Sequence, residues 1–236
     1  MARRSLVVIT VVLLACSACG RSRQDSGSAP PDTVATTSES SLGSRVSVAT
    51  DPYLRVMAPK LRDWAERWRG VMPGFTLDSL YREAGAYPVG YRRATTSADL
   101  ERARVFGQLS PDSKRIVEPD MYRQKSDGEW ELRPEPDAAP AIIDLRDDSL
   151  TVVTVTGTSG GFEDAFWIDR DHIVLVGYGE REYEPWSGGG DLWVLDLQNK
   201  RLTYYHTPDV AKDLFDRYVR GSEAAQRDRI RRAAPL

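Results

Sequence analysis

The chain has 236 residues, of which 41% are hydrophobic and 28% are charged, and its formal net charge is −3. This composition is typical of an ordinary soluble domain with additional segments at its ends, and it excludes a coiled coil, a collagen-like chain and a polytopic membrane protein. Because the chain has no basic excess to attract a phosphate backbone, nucleic-acid binding is not expected. With two cysteines and two histidines, we expect no metal site and no cofactor.

The N-terminus has the features of an export signal. Arg3 and Arg4 precede an apolar run over residues 6–15, which matches the charged region and the short hydrophobic region of a secretory signal peptide. The run is too short to span a bilayer, which takes roughly 18 or more apolar residues. We therefore predict that residues 1–15 are a signal peptide.

The sequence after the apolar run, Leu-Leu-Ala-Cys-Ser-Ala-Cys-Gly over residues 13–20, resembles the lipobox of bacterial lipoproteins. In that motif a small residue precedes the cysteine that becomes lipidated. Cys16 fits best because apolar residues stand three and four positions before it, and Cys19 is the alternative. A soluble secreted protein cleaved at Ala15 or Ala18 is a second interpretation.

The lipobox resemblance implies a membrane anchor and a location. A multiply acylated cysteine holds a chain on a bilayer far longer than a single acyl chain does. The residue after the acylated cysteine is Ser17 or Gly20, not Asp, which in a Gram-negative host implies the periplasmic face of the outer membrane. The only membrane contact expected is this anchor.

Residues 16–46 are predicted to be the lipidated N-terminus and a flexible tether. They are rich in Ser, Thr, Pro, Gly and Ala, a composition that cannot bury enough apolar surface to offset the entropy of ordering. Residues 47–236 are predicted to be a single folded domain. Both cysteines precede it, which excludes thiol catalysis and cysteine-based zinc sites within it.

Residues 51–105 are predicted to be helical. Asp51 and Pro52 suit a helix start, and apolar residues follow at steps of three and four up to Gly70, with Pro59 as an interruption or a helix start. A second short helix is predicted from Thr76 to Gly85. At helical spacing, Trp64 and Trp68 are expected in the core.

Residues 109–206 contain an internal repeat of strand pairs. Ile142-Ile143-Asp144-Leu145 and the later Leu150-Thr151 align with Val194-Leu195-Asp196-Leu197 and Leu202-Thr203. In each copy a polar turn joins two strands. Similar units of a turn and a strand lie upstream of each copy.

These phrases resemble the blade strands of Tol-type and WD-type β-propellers. A closed propeller takes about 4–8 four-stranded blades, whereas two copies are visible here. We therefore predict an α+β fold, mainly antiparallel β, with two propeller-blade-like meanders that do not close into a propeller. N-terminal and C-terminal helices are expected to pack on them, the last over residues 208–220, with Thr207 as its N-cap and Gly221 as its end.

Two segments offer candidate chemistry. Residues 157–161, Gly-Thr-Ser-Gly-Gly, match the G-x-S-x-G pattern of a nucleophile elbow, so a small envelope hydrolase using Ser159, with His172 or His206 as base, is the alternative hypothesis. A glycine-rich connection between the repeats explains the same residues. Asp169, Asp171 and His172 cluster in one turn, but their spacing matches no metal motif.

The segment over residues 177–191 is the best candidate for function, because long loops in compact domains are often functional. Tyr178, Tyr183 and Trp186 stand there among glutamates, a mixture suited to sugar stacking or to anchoring a protein. A hairpin tip whose aromatic rings fold back on the sheet is the other interpretation. The leading hypothesis is a non-catalytic, lipid-anchored binding module of the bacterial envelope with a protein or glycan partner, and a structural spacer is a third possibility.

Overall fold

The structure is a computed structural model that describes residues 43–88, 90–131, 138–154, 160–181 and 186–233. Cys16 and Cys19 lie outside this part of the chain. The described residues form four α-helices and a short 3-10 helix, Leu77–Ser79. The α-helices are α1 (Pro52–Met57), α2 (Arg62–Val71), α3 (Ser97–Phe106) and α4 (Lys212–Ala233).

The described residues also form fourteen strands. They are β1 (Ser44–Arg45), β2 (Tyr81–Gly85), β3 (Arg92–Ala94), β4 (Gln108–Leu109), β5 (Arg115–Glu118), β6 (Gln124–Ser126), β7 (Glu129–Glu131), β8 (Ala141–Asp144), β9 (Ser149–Val152), β10 (Gly160–Trp167), β11 (His172–Arg181), β12 (Ser187–Asp196), β13 (Arg201–His206) and β14 (Val210–Ala211). The larger sheet has the order β1-β2-β13-β12-β11-β10, with β14 also paired to β12, and the smaller sheet has the order β3-β9-β8-β5-β4. Strands β6 and β7 form a separate hairpin.

Each sheet is built on one antiparallel meander, β4-β5-β8-β9 in the smaller sheet and β10-β11-β12-β13 in the larger. The two repeated hairpins match closely, because Asp144 pairs with Ser149 in one and Asp196 with Arg201 in the other. The last turn residue has a left-handed backbone in both, with φ 50° at Asp148 and 53° at Lys200. The predicted α+β fold with two blade-like meanders is confirmed, and the described strands form no closed barrel or propeller.

The helices and sheets form four layers. Helices α1, α2 and α4 cover one face of the larger sheet, its other face packs on the smaller sheet, and α3 lies on the far side of the smaller sheet. In β11, Val174 and Val176 face the helices while Ile173 and Leu175 face the smaller sheet. Because both faces of β11 are buried at this point, residues 173–176 form an uninterrupted apolar run.

The glycines of residues 187–190, Ser-Gly-Gly-Gly, lie within β12, not in a loop. A Cβ atom on Gly190 would lie 2.5 Å from Nε1 of Trp68, and a Cβ on Gly188 would overlap the Phe215 ring. The missing side chains therefore let α2 and α4 approach the sheet closely. Trp64 and Trp68 are 3% and 0% exposed, which confirms that they are core residues.

The predicted helix from Thr76 to Gly85 is wrong. After the 3-10 turn, Tyr81–Gly85 forms β2, because it completes the larger sheet by pairing with β13. The region 51–105 therefore contains the strands β2 and β3 in addition to helices. The interruption expected at Pro59 is present, since α1 ends at Met57 and α2 begins at Arg62.

The C-terminal helix differs from the prediction at both ends. The Thr207 hydroxyl accepts a hydrogen bond from the backbone N–H of Gly190 at 2.9 Å, Val210 pairs with Gly188 in β14, and the helix begins at Lys212. It continues through Gly221 to Ala233. Ser222, Gln226 and Ile230 are buried beyond that point, and their packing offsets the cost of about 0.5–1 kcal/mol for a glycine inside a helix.

Substitution of Gly190 and of Gly221 by alanine should change the stability of the domain in opposite directions. We expect Gly190→Ala to destabilise the domain by about 1–3 kcal/mol, because the new methyl group meets two tryptophan rings in a packed core. A Cβ added to Gly221 would meet no atom within 4 Å, so Gly221→Ala should stabilise α4 by about 0.5–1 kcal/mol. Urea unfolding of both variants measures the difference, and equal shifts would contradict the packing described.

Candidate functional site

Five aromatic rings form a continuous row across the larger sheet, on the face that also packs on the smaller sheet. The centroids of neighbouring rings are 5.4 Å apart for Tyr81 and His206, 5.6 Å for His206 and Tyr204, 5.6 Å for Tyr204 and Trp193, and 5.0 Å for Trp193 and Phe162. Phe162 is buried, whereas the other four rings are half-buried. We call these five residues the aromatic row.

The row follows from strand register. Tyr204 lies opposite Trp193 and His206 opposite Tyr81, and residues two apart on one strand share a face. Strand β11 contributes Gly177 at this level, and a Cβ there would lie 3.3 Å from Cζ3 of Trp193. Glycine at this position therefore leaves room for the Trp193 ring to reach Phe162.

A buried ion pair borders the row. Arg181 donates to Asp191 Oδ1 at 2.7 Å and to Oδ2 at 3.3 Å, and the Tyr204 hydroxyl donates to the same carboxylate. The Asp191 side chain is 4% exposed. Burial raises the pKa of Asp191, against the opposing effect of Arg181 and Tyr204. The network fixes the Tyr204 ring in its place in the row.

Near the Tyr81 end of the row, a histidine lies between two tyrosine rings. His206 stacks on both Tyr81 and Tyr204. Its Nδ1 donates to the Thr207 carbonyl at 3.2 Å, and its Nε2 lies 3.4 Å from Oε1 of Glu83. The Glu83 side chain is 40% exposed, so a charged group stands at the rim beside the rings. The arrangement combines flat apolar faces with polar groups of fixed direction, as ligand sites do.

The candidate residues from the sequence lie in different places. Tyr178 is on the helix-covered face of the larger sheet, with ring centroids 5.9 Å from Phe215 and 6.0 Å from Tyr218. Trp186, just before β12, is 50% exposed. Tyr183 lies outside the described residues. Residues 177–181 and 187–191 belong to β11 and β12, so most of the predicted loop is strand.

Ser159 also lies outside the described residues, and the hydrolase hypothesis stays a prediction. Strand β10 begins at Gly160 and pairs with β11, whereas a nucleophile elbow is followed by a helix. The polar turn after β10 is held by Asp169, which accepts hydrogen bonds from the backbone N–H groups of Asp171 and His172 and lies 2.9 Å from Nδ1 of His172. Among residues that the structure describes, no group of three or more His, Cys, Asp or Glu side chains is arranged to hold a metal ion.

The sequence contains an indication for two residues of the row, Tyr204 and His206, that the helix and strand predictions do not use. In residues 202–206, Leu-Thr-Tyr-Tyr-His, Tyr204 and His206 stand two positions apart, so in a strand they share one face. Tyr205 points to the other face, where its hydroxyl donates to Asp51. The local sequence pattern predicts a helix at Tyr81. The position of Tyr81 beside His206 depends instead on the pairing of β2 with β13, which are far apart in the chain.

Comparison of the chain with protein-family models, with curated proteins and with solved structures finds no match. None of the helices within the described ranges combines the length and the hydropathy needed to cross a membrane.

The ion pair between Arg181 and Asp191 should contribute to the stability of the domain. Asp191→Ala leaves Arg181 and the Tyr204 hydroxyl without their shared acceptor. Breaking a buried pair costs about 3–5 kcal/mol, and we expect about 2–3 kcal/mol because Arg181 is 23% exposed and keeps Asp209 as a partner. Asp209→Ala is the matched control, since Asp209 is 46% exposed and its loss should cost less than about 1 kcal/mol. Equal losses in urea unfolding would show that Asp191 does not anchor the network.

Proposed function

We propose that this chain is a lipid-anchored lipoprotein of the bacterial envelope whose folded domain binds a glycan through the aromatic row. The lipobox-like sequence at Cys16, with Cys19 as alternative, supports the anchor and a location on the periplasmic face of the outer membrane. The observation that carries the binding role is the unbroken line of four half-buried rings, Tyr81, His206, Tyr204 and Trp193.

A glycan fits the chemistry of this surface better than an apolar protein segment does. A sugar ring offers an apolar C–H face for stacking and hydroxyl groups at its edge, and Tyr, Trp and His rings combine an apolar body with a polar tip. Glu83 is 40% exposed and its Oε1 lies 3.4 Å from Nε2 of His206, so a charged acceptor lies beside the rings. An apolar protein anchor over the rings would remove this carboxylate from water, and burying a charge is costly.

The tether supports the same role. A flexible chain of some 25 residues has an r.m.s. span of roughly 25–30 Å, so a domain held by an acylated cysteine can reach material beyond the lipid headgroups. The folded part would then face the periplasm and its polymers.

The anchor is tested by metabolic labelling with an alkyne fatty acid in a bacterial host. We expect Cys16→Ser to abolish the label, while Cys19→Ser retains it, because the apolar residues of the lipobox precede Cys16. Loss of label in Cys19→Ser alone would move the anchor to Cys19, and an unlabelled wild-type protein would contradict the lipoprotein proposal.

The binding role is tested by co-sedimentation of the detergent-solubilised protein with peptidoglycan sacculi. We expect Tyr81→Ala to weaken binding about tenfold, the equivalent of one lost ring contact of about 1–1.5 kcal/mol. Tyr91→Ala is the matched control, because Tyr91 is 52% exposed and lies beside β3 in the other sheet. Equal binding by wild type and Tyr81→Ala would remove the row from the function, and Tyr81-dependent capture of a purified periplasmic protein in place of sacculi would reassign it to protein docking.

A further inference from the structure

A cavity lies between the two sheets, and its lining contains none of the five residues of the aromatic row. Its volume is about 360 Å³. One wall is the smaller sheet, and the other is formed by Tyr87, Pro88 and Gly90 together with Lys200 of the β12–β13 turn. Its lining residues are Tyr87, Pro88, Gly90, Ile142, Thr151, Val152, Val153 and Lys200.

The cavity results from how the two sheets are completed. Strand β2 pairs with β13 in the larger sheet and β3 pairs with β9 in the smaller, so the segment joining them crosses from one sheet to the other. This segment is held against β9, since the Val152 N–H donates to the Tyr91 carbonyl at 2.9 Å. A Cβ on Gly90 would overlap the Val152 carbonyl, so glycine is needed for this approach. Backbone contacts with β9 therefore hold this wall of the cavity in place.

The lining is mainly apolar, and Lys200 is the one cationic residue among the described lining residues. Ile142 and Val153 are 9% and 4% exposed, while Lys200 is exposed. The Lys200 ammonium lies 5.1 Å from the centroid of the Tyr87 ring. Within the described residues, Lys200 has no carboxylate within ion-pair distance, in contrast to Lys125 and Lys212, which pair with Glu101 and Asp216.

We infer that this cavity binds a small amphipathic carboxylate. The apolar body would lie against Ile142, Thr151 and Val153, and the carboxylate would pair with the Lys200 ammonium. A volume of about 360 Å³ is within the range of small-molecule sites. Decanoate, an apolar chain that ends in one carboxylate, has this chemistry. The inference uses no residue of the aromatic row and does not depend on the proposed function.

The charge requirement is tested by calorimetric titration of the full-length protein with decanoate below its micelle concentration. We expect saturable binding of one decanoate per chain, weakened at least about tenfold by Lys200→Gln, the effect of losing one charge-assisted contact. Lys114→Gln is the matched control, because Lys114 is also an exposed lysine in a strand turn. Its substitution removes the same charge at a different place. Decanol, which lacks the charge, should bind more weakly and equally to wild type and to Lys200→Gln.

The position of the ligand is tested by filling the cavity. Thr151 is half-buried and lines the cavity, so Thr151→Phe should abolish decanoate binding while thermal unfolding shows a folded domain. The inference is overturned if wild type shows no saturable binding, if Lys200→Gln binds as tightly as wild type, or if Thr151→Phe binds unchanged. Loss of decanoate binding in these variants with sacculus binding intact would separate this site from the aromatic row.

Discussion

The close approach of the helical layer to β12 is the contact on which the rest of this structure depends. Gly188 and Gly190 present no side chain to the helices, so Phe215 of α4 and the indole rings of Trp64 and Trp68 lie directly on the strand backbone. Trp68 also stacks on Tyr218 with ring centroids 3.8 Å apart. The two helices thus share one aromatic core, and dense packing of this kind tolerates little added volume. Gly189, between them, points to the opposite face, where Thr207 and Arg181 lie within 3.0 and 3.2 Å of its Cβ position.

Buried carboxylates connect each helical layer to a sheet. Asp51 caps α1 through the Leu54 N–H at 2.9 Å and accepts from the Tyr205 hydroxyl of β13 at the same distance. Glu163 of β10 accepts from Tyr218 of α4 and from Arg67 of α2. Glu118 of β5 pairs with Arg102 of α3 at 2.7 Å. Each is nearly inaccessible to solvent, and removing one partner of a buried pair is strongly destabilising, so these contacts hold the helices against the sheets.

The N-terminal region contributes to both candidate sites, because it supplies a strand to each sheet. Each four-stranded unit is extended by a strand from the N-terminal region, and the chain crosses between the sheets at that point. The crossing segment forms a wall of the cavity beside Lys200, and β2 adds Tyr81 and Glu83 to the aromatic row. A short stretch of chain before the first meander therefore contributes to both surfaces.

Residues close in sequence are sufficient for the local elements and insufficient for the sites. Alternation and the repeat predict the hairpins at Asp144 and Asp196, and the spacing of Leu54, Trp64 and Trp68 predicts a core face, because these patterns reflect burial along one strand or helix. The local pattern over residues 81–85 predicts helix where the structure has a strand, since pairing with β13 outweighs weak local preference. Gly221 does not end α4 because Ser222, Gln226 and Ile230 find a buried surface beyond it.

The sequence by itself determined the α+β class, the two meanders and the absence of cysteine from the predicted folded domain, and it supplied the lipobox resemblance. These are properties of periodicity and of short motifs, which act over neighbouring residues. The tertiary structure alone decided that the glycines of β12 serve helix packing and that Tyr178 faces α4. It also decided that Tyr81 stacks beside His206 and that Lys200 stands over Tyr87. Each of these contacts joins segments far apart in the chain, and strand register with close packing sets them, which no local pattern encodes.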